Sequence, residues 1–345
     1  MLVEPNTLVL CECARTFVDR LADDARFKLE MPAAQLELVT ASHAGVPDAI
    51  AELADARRVL WDAGEGLARP LAAGCHPSSS GEGVLNRSSR YAHTIAEYGT
   101  LARRQLVCAL QVHVAVGGAR RTLTVYNALR EYLPLLAALA ANAPIYEGRD
   151  TGLASVRPKI SELLPRQGIP PAFPSWDALT EELRWGAAAG SLPDVGSWWW
   201  ELRPHLRFGT LELRVPDTQT TLAEAAAVAA VGQALVALLA ERDEVPSPVP
   251  TWRIEENRWS ACRHGLEGSM ADLRSGKRRA TRDLLDDLLN ELEPVAQGLG
   301  AGAAMYHARS LIERNGSTRQ RAVVAEEGAA GLLRWLVQRY MDAVP

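Results

Sequence analysis

Trp198-Trp199-Trp200-Glu201-Leu202-Arg203-Pro204-His205-Leu206-Arg207-Phe208-Gly209-Thr210-Leu211-Glu212-Leu213-Arg214-Val215-Pro216-Asp217 reads as two strands joined by a tight connection. From 210 to 215 apolar and polar residues alternate strictly. Leu211, Leu213 and Val215 therefore face one way, and Thr210, Glu212 and Arg214 the other. The 198–203 segment is rich in β-favouring aromatics and sets Glu201 and Arg203 on one face, while Pro204 and Gly209 bracket the turn. Once paired, the strands present an apolar face and a face bearing Glu201, Arg203, Glu212 and Arg214. A solvated sheet face is ordinarily rich in Thr, Ser and Lys. Carboxylates alternating with guanidiniums, which fork onto phosphate or carboxylate, fit an active-site face better.

The same pattern recurs upstream. Residues 27–31 and 35–39 alternate around a Pro32 turn, predicting a second hairpin with Glu30, Gln35 and Glu37 on its polar face. Residues 106–116 read as one strand, with Leu110, Val112, Val114 and Val116 toward the core and Gln111 and His113 on the other side. Between these strands the spacing predicts helices over 47–71, 90–104, 122–142 (kinked or started by Pro134) and 175–189, the last capped by Ser175. The segments 78–89 and 157–174 read as loops, the second as a lid or substrate-side segment. Thr221-Leu222-Ala223-Glu224 is a capping box that opens an Ala/Val/Leu helix to 242. Glu224 and Gln233 inside it argue for a buried core helix over a membrane span. Pro246, Pro248 and Pro250 stop the chain, and helices follow over 251–273, 282–297, 304–314 and 319–343. Lys277-Arg278-Arg279 reads as a solvated basic loop.

Composition narrows the function classes. The 345 residues carry a net charge of −5, and 48% are hydrophobic. A full core is within reach, and bulk electrostatics favour neither nucleic acid nor an anionic membrane. Only three of the 37 basic residues are lysine, Lys28, Lys159 and Lys277, so anion contacts must come from Arg or backbone N–H groups. Five scattered cysteines and a polar start reading Glu4-Pro5-Asn6 imply a reduced, cytoplasmic protein. Cys11-x-Cys13 lacks the second Cys or His pair that a zinc site needs. There is no P-loop, no Rossmann fingerprint after a strand, no nucleophile elbow and no H-E-x-x-H. What remains is a set of strands with Glu, Gln, His and Arg on their polar faces, suited to an electrophile of several negative charges held by Arg and by carboxylate-bound cations.

The chain resembles the type-2 glutamate–cysteine ligases, the bacterial carboxylate–amine ligases. The matching stretches are Glu30 with Gln35-Leu36-Glu37-Leu38-Val39-Thr40, Gly74-Cys75-His76-Pro77, Arg90-Tyr91, Leu110-Gln111-Val112-His113-Val114, Ala141-Asn142-Ala143-Pro144 and Gly148-Arg149-Asp150-Thr151-Gly152. Further on they include Arg203-Pro204-His205-Leu206-Arg207-Phe208-Gly209-Thr210-Leu211-Glu212-Leu213-Arg214-Val215, Glu256-Asn257-Arg258-Trp259, Arg263-His264-Gly265-Leu266 and Arg319-Gln320-Arg321. The R-P-H-x-R-F-G-T-L-E-x-R-V run is the most specific. The resemblance implies an α+β, glutamine-synthetase-like fold: a curved antiparallel sheet with helices on its convex side, in a single catalytic domain over 1–345. Residues 1–220 would carry the sheet and 221–345 would be mainly helical.

The resemblance further implies ATP and Mg²⁺, and a reaction that phosphorylates a carboxylate, typically the γ-carboxylate of glutamate, for attack by cysteine or another amine. By position, Glu30, Glu37, His113 and Glu212 would serve the metal. Arg203, Arg207 and Arg214 would be catalytic, holding phosphate or the substrate carboxylate. Asn257, Arg258 and Arg263 would contact nucleotide or substrate. The implied partners are small amino-acid and amine substrates, without nucleic acid or membrane, and self-association stays open. The sequence departs from the family at its start. Members open with G-x-E-E-E-F before L-x-V-D/E-P; Leu2-Val3-Glu4-Pro5 matches the tail and Met1 stands where the rest would be. Ala109 and Ala115 stand where glycine is common. The alternative is thus a shortened, non-catalytic or regulatory homologue that binds nucleotide or amino acid, or partners a full-length ligase. The chain as written is expected to bind ATP or simple anions and turn over little.

Overall fold

The computed structural model describes residues 1–192, 195–242 and 247–342. Pro246 and Ala343, at the ends of two expected segments, lie outside them. The first third runs β1 (Leu2–Val3), α1 (Ala14–Arg20), β2 (Phe27–Leu29), β3 (Leu36–Leu38), α2 (Val46–Ala63), β4 (Arg69–Pro70), α3 (Ser89–Tyr98) and α4 (Thr100–Arg103). The middle carries β5 (Val112–Ala115), α5 (Ala119–Leu129), α6 (Leu133–Leu139), β6 (Ile145–Tyr146), β7 (Arg149–Asp150), α7 (Arg157–Ser161), α8 (Trp176–Ala188), β8 (Leu202–His205) and β9 (Thr210–Leu213). The last third is α9 (Leu222–Glu241), α10 (Thr251–His264), β10 (Ser269–Ala271), β11 (Arg278–Ala280), α11 (Thr281–Gly298), α12 (Gly302–Glu313) and α13 (Gly316–Arg339).

The architecture is α+β. Among the described residues the strands form small antiparallel sheets, the largest ordered β5-β9-β8. The apolar side of that sheet, Leu202, Leu211 and Leu213, is buried in the main core with α5 and α9. Gly232 of α9 is required there: a Cβ at that position would meet Leu213 Cδ1 at 2.7 Å. Helix α9 is the centre of the molecule, packed by α2, α5, α11 and α12. It opens on the capping box, with Thr221 and Glu224 each accepting from the other's backbone N–H. It is the one described helix long and apolar enough to cross a membrane, and most of it is buried inside the protein. Ser175 caps α8, its side chain accepting from Ala178 N. Pro134 stands in the first turn of α6, where its missing N–H costs nothing.

Several segments differ from the sequence reading. The expected helix over 90–104 is broken into α3 and α4 at Gly99, whose φ is +50°. The expected strand over 106–116 pairs continuously only over β5, with single bridges from Val107 to Cys75 and from Ala109 to Asp217. The 198–201 run is not strand: Trp198 is buried against Phe173 and Trp200, so packing overrides β propensity. In place of helix to 273 and a basic loop, β10 and β11 form a hairpin around Asp272, which accepts from Ser275 N and Oγ. Arg278 and Arg279 lie in its second strand. The 157–174 segment is no open lid: Ile160, Leu164, Ile169 and Phe173 are buried. Cys11 and Cys13 are joined as a disulfide, and Cys75, Cys108 and Cys262 are free thiols.

Candidate active site

The strand register builds the site. On the β5-β9-β8 sheet, Glu212 of the central strand stands opposite His113 on one side and Arg203 on the other. Three side chains separated in sequence thus form one row across three strands. The Glu212 carboxylate is fully buried, and both of its oxygens are held. Arg203 Nε donates to Oε2 at 2.6 Å, and Arg214 Nη1 donates to Oε1. Burial alone would push this carboxyl up, but the Arg214 and Arg203 guanidiniums outweigh it and hold it below the usual carboxylate range. His113 Nε2 lies 3.9 Å from Glu212 Oε1, and its Nδ1 is 3.1 Å from Thr210 Oγ1. Burial lowers the pKa of this imidazole and keeps it neutral at pH 7. Its ring meets His205 and Phe208 edge-on, at 5.2 and 5.8 Å.

A second hairpin carries acidic side chains of its own. In β2–β3, Lys28 stands opposite Glu37, and Glu30 and Gln35 share that face by alternation. Asn86 Nδ2 donates to the Glu30 carbonyl at 2.7 Å and pins the turn. The Tyr91 hydroxyl lies 3.2 Å from Glu30 Oε2. Burial, and then the charge of Glu37, raises the Glu30 carboxyl above its ordinary value. The charge of Glu37 acts on Arg203, so the acidic hairpin lies within electrostatic reach of the sheet. Gln35 is buried and its Nε2 has no hydrogen-bond partner. The two elements offer two fixed guanidiniums, Arg203 and Arg214, and an acidic pair, Glu30 and Glu37, whose charges repel.

The model of glutamate–cysteine ligase family 2 matches residues 4–339. A relative in Rubrobacter xylanophilus, provisionally named glutamate–cysteine ligase 2-3, is 41% identical over 303 residues, covering 87% of this chain and 82% of its own. Another, provisionally named glutamate–cysteine ligase 2-1 in Frankia alni, is 35% identical over 326 residues, covering 92% and 84%. The chain belongs to glutamate–cysteine ligase family 2. Among solved structures, a glutamate–cysteine ligase from Francisella tularensis in complex with AMP superposes with a TM-score of 0.68 at 14% identity, over 93% of this chain and 83% of that one. A bifunctional glutathione synthetase from Pasteurella multocida gives 0.64, also at 14%, over 92% and 48%. At such identities these two likenesses speak for the fold alone.

Within this family member, some residues expected at the site are held elsewhere. Arg207 is exposed on the turn after β8, its guanidinium 5.9 Å from the Phe208 ring centroid. Glu201, expected beside Arg203, is buried against Arg258: Arg258 Nε and Nη2 donate to its two oxygens at 2.9 and 2.7 Å. Arg258 Nη1 donates to Glu162 at 2.5 Å. With every nitrogen engaged and 2% of the side chain exposed, Arg258 is a scaffold cation where a nucleotide contact was expected. Asn257 likewise exchanges two 2.8 Å hydrogen bonds with the backbone of Ala271 and ties α10 to β10. Arg263 is exposed and donates to the Gly152 carbonyl.

The metal set does not assemble as expected. Glu30, Glu37, His113 and Glu212 fall into two pairs, and among the described residues no group of three or more His, Cys, Asp or Glu could hold a metal ion. Glu212, with its oxygens spent on guanidiniums, does not fit a cation in this arrangement. Glu30 and Glu37 do, because a half-buried pair of carboxylates that repel one another is a donor set that a hard divalent cation would relieve, with water and phosphate supplying the remaining positions.

Proposed function

We propose that the chain is an ATP-dependent carboxylate–amine ligase that forms an amide through an acyl phosphate. Its acid is the γ-carboxylate of glutamate, and its amine is cysteine or a related small amine. The observation that carries this reading is the Arg203–Glu212–Arg214 cluster in register with His113 and within electrostatic reach of Glu37. Phosphoryl transfer to a carboxylate asks a protein mainly for positioning and charge stabilisation. Arg203 and Arg214 are oriented before any ligand arrives because Glu212 fixes both, so they hold the transferring phosphoryl group and the acid without reorganisation. Neutral His113 has its Nδ1 tied to Thr210 and turns its other nitrogen toward the site, where it meets substrate. Mg²⁺ bound at Glu30 and Glu37 would neutralise phosphate charge. In this reading β2–β3 and β5-β9-β8 are two parts of one curved, glutamine-synthetase-like sheet with α5 and α9 on its convex side, supported by the reach of the Glu37 charge to Arg203.

ADP release from the purified chain with Mg²⁺, ATP, glutamate and a panel of amines tests the proposal, with hydroxylamine included to trap acyl phosphate as hydroxamate. Release that requires both acid and amine, with hydroxamate formed from the acid, is the expected result. If no acid supports either product, the ligase reading fails.

A further inference from the structure

Beside the phosphate-facing guanidiniums stands a cation that the proposed reaction has not used. Arg166 sits in the 157–174 segment with φ +60°, a left-handed conformation that a long side chain adopts only under constraint. Its Nε donates to the Ser197 carbonyl at 3.0 Å, and its Nη2 to the Tyr98 hydroxyl at 3.3 Å. The guanidinium Cζ lies 4.9 Å from the Trp199 ring centroid, and Tyr98 meets that ring edge-on at 5.8 Å. Among the described residues no carboxylate pairs with Arg166. Arg203 Nη1 donates to the Gly196 carbonyl at 3.3 Å. Arg166 and Arg203 are therefore anchored to the carbonyls of adjacent residues, Ser197 and Gly196.

We infer that Arg166, walled by Trp199 and Tyr98, is the specificity-determining site for the α-carboxylate of an amino-acid substrate. This rests on the ligase reading. Carboxylate recognition is favoured over phosphate for three reasons. The guanidinium is fixed over an aromatic ring by two hydrogen bonds, and its Nη1 edge makes no hydrogen bond to a described residue. A planar carboxylate docks edge-on to such a fork through two parallel hydrogen bonds. The indole and phenol walls suit the short aliphatic stem of an amino acid, and the anchoring turn sets that stem beside Arg203, where the reacting end must lie. A triphosphate, by contrast, is met by the Arg203–Arg214 pair and the acidic hairpin.

Calorimetric titration of the purified chain tests this with two ligand pairs that differ by one carboxylate: L-glutamate against 4-aminobutyrate, and L-cysteine against cysteamine. Wild type is expected to favour the carboxylate-bearing member of at least one pair by about 10- to 10²-fold, the scale of a charge-assisted hydrogen bond. Arg166→Gln and Arg166→Lys should abolish the preference and leave ATP affinity unchanged. Arg166→Gly, which suits the left-handed backbone, should lose the preference while keeping the wild-type melting temperature, which separates recognition from folding. Absence of any preference in wild type, its retention in the folded variants, or a loss of ATP affinity in its place would each overturn the inference. Turnover measured in parallel keeps the two readings apart: if wild type discriminates but releases no ADP with any acid and amine, the ligase reading falls and the carboxylate site stands.

Discussion

Glu212 shows how one residue can organise a site. A fully buried carboxylate is tolerated only when paired, and here its partners are the two guanidiniums that the proposed chemistry needs. Replacing it with Gln leaves two largely buried cations uncompensated. Glu212→Gln should therefore cost about 3 kcal/mol of stability, read by urea denaturation at pH 7. The pH dependence has a definite sign. The folded pKa of Glu212 is depressed, so its contribution is present above the unfolded value, about 4.3, and is lost as pH falls through the lower folded value. Wild type should lose stability on that acid limb, and Glu212→Gln should show a shallower one. Arg203→Lys or Arg214→Lys keeps charge but not the fork, and should lower turnover by about 10²-fold with a small change in melting temperature. Full turnover in both folded variants would remove them from the chemistry. These residues were legible because a period of two places 203, 212 and 214 on one face. The structural partners of Arg258 and Asn257 were not legible, for a physical reason. Their partners, Glu201 and Ala271, are distant in sequence, and no local pattern separates a buried cation from a functional one. Arg166 was passed over because a positive φ leaves no mark in the residue type.

Elements were legible where their ends carry their own chemistry. The Thr221–Glu224 capping box and the Ser175 cap are read from side chains that satisfy the first helical N–H groups locally, and both helices begin where the sequence places them. Thr221→Ala should cost about 1 kcal/mol, seen as a lower melting temperature, because one buried N–H of α9 loses its acceptor. Unchanged stability would mean that α9 is held by packing alone. Strand lengths were less legible because a strand is only as long as its partner. The 106–116 run is apolar from Leu106 to Leu110 and alternates up to Val114, yet its first half meets Cys75 and Asp217 one residue at a time, and only Val112 to Ala115 finds a continuous neighbour in β9. The β10–β11 hairpin did carry a local signal in Asp272 and Gly276, the latter at φ +76°, but the charged residues around it resembled a solvated helix junction.

At the scale of the whole molecule, the site exists because two hairpins far apart in sequence bring opposite charges to one place, and the acidic one is left strained. Glu30 is half-buried, and burial and then the charge of Glu37 raise its folded pKa above the unfolded value. Its contribution to stability is therefore full below about pH 4.3 and is lost as pH rises through the folded value, where ionising Glu30 sets its charge against that of Glu37. A divalent cation held by the two carboxylates would remove that repulsion and, by binding the folded state alone, would stabilise it by mass action, about 1–3 kcal/mol at concentrations well above its dissociation constant. Mg²⁺ should thus raise the melting temperature of wild type at pH 7.5. The rise should shrink toward pH 5, where the proton on Glu30 competes with the metal. Glu30→Gln should melt no lower than wild type at pH 7.5 without Mg²⁺, since it deletes the repulsion, and should lose most of the Mg²⁺-dependent rise. Scanning calorimetry on both proteins, with and without millimolar Mg²⁺ at the two pH values, reads all of these differences. A wild-type melting temperature indifferent to Mg²⁺ at pH 7.5, or a full Mg²⁺ response in Glu30→Gln, would show that the acidic hairpin is not where the cation binds.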